Sequence, residues 1–322
     1  MKKLAAILIL GLSIGAPLAA QSLDIPNKRW GLSFGNSKDF TGLRFNFRDD
    51  RVRKITGVNV TLWRPTKNDA DAVITGLSLG LGPGGARLRG IQIGILGAGA
   101  DKSMIGLNLG GLGVGAGDDL VGISIGGVGL GAGKDLKGIA IGGLGAGAGE
   151  DVRGICIGGL GVGCGETFKG IAIGGLGAGA GDDLKGLAFG GLGVGCGGTL
   201  GGIAVGGLGV GAGERIEGLV VGGLGAGAPE IRGLVICGLG LGGQDLRGVF
   251  LAAGMVRVEK GGRLTGFAAS SFNHIRGTLT GLSLGIVNYA WTIDKGLQIG
   301  VVNIVRDNPK GLRVLPVFNT RF

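Results

Sequence analysis

The chain holds one histidine, His274, in the segment ASSFNHIRG, close to Ser270 and Ser271. A serine, a histidine and a carboxylate can assemble a nucleophilic triad. Neither serine lies in a G-x-S-x-G elbow, which would hold its hydroxyl strained and exposed. The stretch therefore reads as polar surface in an irregular segment. Four cysteines (Cys156, Cys164, Cys196, Cys237) and a single histidine give no zinc-site spacing. The acidic pairs Asp118–Asp119 and Asp182–Asp183 could offer oxygen ligands to calcium. They lack the G-G-x-G-x-D nonapeptide of calcium-binding rolls, and basic residues interrupt their column. The segments GLGAGAG and GLGVGCG mimic a dinucleotide loop, but that motif needs a strand before it and a helix after it. Here it recurs unit after unit with no helical pattern between. The sequence thus assigns no catalytic residue, no cofactor-binding residue, no metal ligand and no cofactor. The expectation is a non-enzymatic protein.

The elements that would carry any site are set by an internal period. A glycine opens each unit at Gly90, Gly106, Gly122, Gly138, Gly154, Gly170, Gly186, Gly202 and Gly218, always sixteen residues apart. Gly233 and Gly248 follow at fifteen, and Gly266, Gly281, Gly296 and Gly311 resume the beat after an irregular unit. Gly42, Gly57 and Gly76 keep a looser version upstream. Counting the opening glycine as position 1, large apolar residues fill positions 2, 4 and 7, as in Ile171, Ile173 and Leu176. Small or medium apolar residues fill 9 and 11, position 15 is again apolar, and charges fall at 13, 14 and 16.

Two short runs with a period of two, separated by paired glycines and by a charged segment, describe two strands and two corners. The fold expected is an all-β, glycine-rich solenoid or roll of about seventeen coils of about 16 residues, stacked through parallel pairing. The apolar columns at 2, 4, 7, 9, 11 and 15 would then form a thin core. An alternative remains open at this point: one long strand per unit, closed as an antiparallel outer-membrane β-barrel. The terminal RVLPVFNTRF fits a barrel, whereas the scarcity of aromatic residues in the central units and the break in alternation fit the solenoid.

Residues 21–75 read as a divergent, capping β region, 76–248 as the regular repeats, and 249–322 as divergent repeats and a cap. Cys164 and Cys196 share a column two coils apart, about 9.6 Å, beyond the reach of a disulfide. Four free thiols are expected. The outward glycines at positions 8, 10 and 12 leave a bare face. That face either receives a second surface, such as a sister subunit, another sheet or lipid, or merely relieves crowding within the coil.

Lys2 and Lys3, the apolar run Leu4 to Ile14, and Ala19–Ala20 before Gln21 predict a secretory signal peptide over residues 1–20, cut after Ala20. Glycine makes up 80 of 322 residues without the period of collagen, which points to an ordered repetitive fold. The net charge of +10 is concentrated toward the two ends, and the middle is near neutral. Scattered cations without an aromatic stripe argue against nucleic acid, whereas basic ends suit anionic lipid or polysaccharide.

The GL-x-hydrophobic-G beat, ending in GLQIG, VN, NP, GLRVLP, FN and F, resembles a family of exported bacterial glycine-rich surface-repeat proteins of unknown function. The resemblance runs from TGLRFNF at 41–47 to Phe322. GIAIGGLGAGAG at 138–149 is more weakly similar to the head repeats of trimeric autotransporter adhesins. The surface-repeat resemblance implies export and an envelope location. The resulting expectation is a bacterial envelope or surface repeat protein (outer membrane, surface or periplasm) with a structural or interaction role. Its bare glycine faces would serve homo-oligomer formation or contact with an envelope component, and membrane association is possible. The alternative is an outer-membrane barrel or pore.

Overall fold

The computed structural model describes residues 22–322. The expected signal peptide and its cut after Ala20 lie outside them. The described residues are almost entirely strand, with no α-helix and one short 3₁₀ turn at Lys310–Leu312. The chain forms two compact units, one ending at Gly126 and one spanning Gly127–Phe322. Each is a β-solenoid, with about 16 turns between them.

In the second unit each regular coil has a longer and a shorter strand, such as Val152–Gly158 and Gly161–Cys164. Each strand pairs in parallel with its equivalent sixteen residues on: Val152 opposes Phe168, Ile155 opposes Ile171, and Val162 opposes Ala178. This overturns the barrel alternative. One long strand per unit would need antiparallel neighbours, whereas here two corners turn each unit back onto the coil before it. Among the described residues antiparallel pairing occurs only at the ends: Ser22–Pro26 against Trp30–Gly35 in the first unit, and Val314–Asn319 against the last long strand, Val287–Val305, in the second.

Glycine is enforced at the opener. Gly170 has φ +136°, and a Cβ there would lie 2.0 Å from the Gly154 carbonyl oxygen. At the apolar corner, a Cβ on Gly175 would lie 1.8 Å from the Gly159 oxygen. These positions are closed by the neighbouring coil's backbone, so no side chain fits.

The core differs from the one expected. Positions 9 and 15 do face inward: Val152, Phe168, Leu184, Leu200 and Ile216 are fully or almost fully buried in one column. Positions 2, 4 and 7 do not. Between 2 and 4, the inward residue is position 3, occupied by Ala140, Cys156, Ala172, Ala188 and Ala204, all buried. The reason is alternation. Position 3 shares the inward face of the longer strand with position 15, so positions 2 and 4 must face out. The column is small in these five coils and widens in later ones, where Val220, Val235 and Phe250 fill it fully buried.

In the first unit the same inward column is polar: Arg44, Asn59, Ser78, Gln92, Asn108 and Ser124 stack in register and are all buried. Arg44 is fully enclosed and ion-pairs with Asp49 at 2.5 Å, while also donating to Asn59 Oδ1 at 2.7 Å. Further along, Asn108 Nδ2 donates to Ser124 Oγ at 3.1 Å. In the second unit a buried asparagine ladder closes the last coils. Asn273 donates to Asn288 Oδ1, and Asn288 donates to Asn303 Oδ1, both at 2.8 Å. Asn319 on the antiparallel end strand then donates to the Asn303 carbonyl at 3.1 Å.

Candidate interaction surface

The polar residues singled out by the sequence do not converge. Ser270 Oγ donates to Asn273 Oδ1 at 2.9 Å, and Ser271 Oγ donates to the Ala253 carbonyl at 2.5 Å. His274 instead stacks on Phe272, with ring centroids 5.2 Å apart, and meets Tyr289 edge-on. Partial burial and the nearby Arg257 and Arg276 hold its imidazole below the usual histidine range. Asp183 accepts from Lys185 Nζ at 2.7 Å and from the Thr199 amide at 2.9 Å. These bonds hold its carboxyl below the usual aspartate range, the lysine contributing most. Among the described residues no three His, Cys, Asp or Glu side chains are grouped to hold a metal ion. The glycine loops that mimic nucleotide motifs are corners and short parallel strands.

The four cysteines are free thiols. Cys164 and Cys196 each face Ala180 from opposite sides, two coils apart. Burial pushes the Cys156 thiol up to about 12 and the Cys164 thiol up to about 11.

What does stand out is the outer face of the longer strands in the second unit. Position 2 runs Ile139, Ile155, Ile171, Leu187, Ile203, Leu219, Leu234 and Val249 in unbroken register. Position 4 runs beside it as Ile141, Ile157, Ile173, Phe189, Val205, Val221, Ile236 and Leu251. Coils above and below, about 4.8 Å away, shield each side chain. Even so, Phe189 remains 48% exposed and Leu187 45%. At the adjoining corner, Leu144, Leu160, Leu176, Leu192, Leu208, Leu224 and Leu239 form a third column, 48–63% exposed. The backbone locks it in place: the Leu144 amide donates to the Val128 carbonyl, and each later leucine amide donates to the preceding leucine's carbonyl, at 2.6 Å for Leu160, Leu176, Leu192 and Leu208.

On its far side this face is edged by cations at position 16. Lys137, Arg153 and Lys185 each pair with the carboxylate two residues earlier, at 2.6–2.8 Å. The edge is polar but locally neutralised. It offers an apolar partner a surface bounded by charge rather than a field of one sign.

The shorter strands present the opposite surface. Position 10 is glycine from Gly131 to Gly242. A Cβ on Gly131, Gly163, Gly195 or Gly211 would meet nothing closer than 3.5–3.8 Å, an ordinary contact. The same ladder continues as Arg257, His274 and Tyr289, so the backbone there accepts large side chains. Crowding explains the glycines at positions 1, 6 and 12, and at position 10 it explains Gly147, where a Cβ would lie 2.6 Å from the Gly163 oxygen, but not Gly131, Gly163, Gly195 or Gly211.

No α-helix long and apolar enough to cross a membrane occurs among the described residues. Comparison with family models, with curated proteins and with solved structures gives no match.

Proposed function

We propose that this chain is an exported, non-enzymatic repeat protein of the bacterial envelope, with a structural role exerted through its outward apolar ladders. The observation that carries the reading is the face built from positions 2, 4 and 7 in the second unit. Scattered surface leucines need no explanation, but in-register columns of isoleucine, leucine, valine and phenylalanine over successive coils form one continuous patch. Water gains nothing from such a face, and a partner surface would gain the free energy of removing it from water. Export is supported by the signal-peptide pattern at residues 1–20.

The test is to express the full chain in a bacterial host and fractionate the cells. Wild type is expected in the envelope fraction, released by detergent but not by salt. A variant carrying Ile157→Thr, Ile173→Thr, Leu160→Gln and Leu176→Gln is expected to leave that fraction while keeping its β-sheet circular dichroism. A wild-type chain found free of the envelope and monomeric without detergent would sink the reading.

A further inference from the structure

The first unit contains a cleft of about 710 Å³, within the roughly 300–1,000 Å³ typical of small-ligand sites. One wall is the segment after the strand Lys54–Trp63: Trp63, Arg64, Thr66, Lys67 and Asn68. The floor is backbone of the shorter-strand face, with Gly97, Gly99, Gly113 and Gly115 turned toward the opening.

The wall is fixed before any ligand arrives. The Thr66 amide donates to the Asp49 carbonyl, and the Arg51 amide donates to the Lys67 carbonyl, both at 2.9 Å. Arg48 Nε donates to the Arg64 carbonyl at 3.1 Å. Asn68 Nδ2 reaches across to Asp101 Oδ2 at 2.7 Å, tying the wall to a later coil.

At Gly97 the coil itself requires glycine, because a Cβ would lie 2.8 Å from the Gly113 oxygen, but at Gly99 the floor is bare without that need. A Cβ on Gly99 would meet only the Gly115 oxygen, at 3.6 Å, and the backbone there is not in the left-handed region. A side chain would fit the coil and fill the cleft. The wall supplies what the floor lacks. Trp63 is 45% exposed, a flat apolar ring beside hydrogen-bonding groups. Arg64 and Lys67 are exposed, and neither is in an ion pair among the described residues. The one carboxylate lining the cleft, Asp101, is engaged by Asn68.

An indole face, two uncommitted cations and a floor that lets a ring lie on the backbone together suit a flat, hydroxyl-rich anion. We infer that this cleft binds a short acidic oligosaccharide, with one sugar ring stacked on Trp63 and a carboxylate between Arg64 and Lys67. The inference does not depend on the role assigned to the apolar ladders, which belong to the other unit.

The experiment is calorimetric titration of the full chain with a hexauronate, alongside a neutral cellohexaose. Saturable binding of the hexauronate is expected, weakening about three- to fivefold between 50 and 300 mM salt, as one neutralised carboxylate would require. Trp63→Ala and Gly99→Leu should each weaken it at least tenfold. Gly131→Leu changes the same ladder position in the other unit, where a Cβ also has room (3.8 Å to the nearest atom). It serves as the control for folding and should leave binding intact. Absence of saturable binding, equal binding of the neutral sugar, or retention of affinity in Gly99→Leu would each overturn the assignment.

Discussion

Ala172 and Ile173 are adjacent in one strand and face opposite ways, with the alanine fully buried and the isoleucine 38% exposed. The smaller residue packs the interior and the larger one faces out. Removing bulk should therefore matter little where the sequence is most hydrophobic. Phe168→Ala, in the buried position-15 column, is expected to cost about 3–5 kcal/mol. Ile173→Ala should cost less than about 1 kcal/mol. Urea unfolding of both variants, read with hydrogen exchange because repeat arrays need not unfold in one step, checks the ranking.

The glycines divide into two kinds, and alanine separates them. Gly170→Ala places a Cβ against the Gly154 oxygen at positive φ and should destabilise by more than about 2 kcal/mol. Gly163→Ala meets nothing closer than 3.5 Å. It should be neutral, or stabilising by up to about 1 kcal/mol, because the unfolded chain loses freedom. Thermal midpoints of the two single variants test this directly. A similar loss at both positions would mean that the bare column is a packing requirement after all.

Asn288 both accepts and donates in the buried ladder, taking hydrogen bonds from Asn273 and Ser283 and giving one to Asn303. Asn288→Ala would leave Ser283 Oγ and Asn303 Oδ1 without this partner inside the coil. At about 1–3 kcal/mol for each buried polar group left unpaired, the last coils should open first. Faster amide exchange is expected in residues 270–305, with residues 136–222 unchanged.

Burial raises Cys156 from an ordinary 9.0 to about 12, and Cys164, Cys196 and Cys237 move the same way. The folded chain therefore keeps protons on these sulfurs that the unfolded chain gives up. Their contribution to stability is complete below pH 9 and declines as pH rises from there toward 12. Alkylation at pH 8 should be at least tenfold slower for the folded protein than in urea, where all four thiols should react. Rapid modification of the native chain at that pH would contradict the burial of Cys156 and Cys237.

The coil was legible because its corners are written in residue types. Paired glycines at 5 and 6 and the charged segment at 13–14 mark where the chain turns, and a sixteen-residue beat can stack only on itself. Side-chain size misleads about depth here: the large residues at positions 2, 4 and 7 face out, and the small residue at position 3 faces in. Residues such as Ile171 and Ile173 flank Ala172 in strict alternation, so one set had to face out. The signal lay in position 3, which stays small through Ala140, Cys156, Ala172, Ala188 and Ala204. A column held to alanine between two columns of isoleucine marks the confined side. The cleft beside Trp63 left no such trace. It depends on hydrogen bonds from Thr66 and Asn68 to residues 17 and 33 positions away, which no local pattern encodes.

The coil that ends at Glu230 is one residue short, yet nothing beyond it is displaced. Gly211 opposes Gly227, sixteen residues on, while Arg215 opposes Glu230, only fifteen on. The missing residue has been taken out of the charged corner, where Ala228 and Pro229 replace a longer turn. Both ladders pass through in phase. A codon lost at this corner therefore leaves the register intact, whereas the same loss inside a strand would swap isoleucine for alanine along the rest of that strand. Inheritance of this protein is graded by location: whole coils can be copied or dropped as units, corners can be trimmed, and strands admit no change of frame.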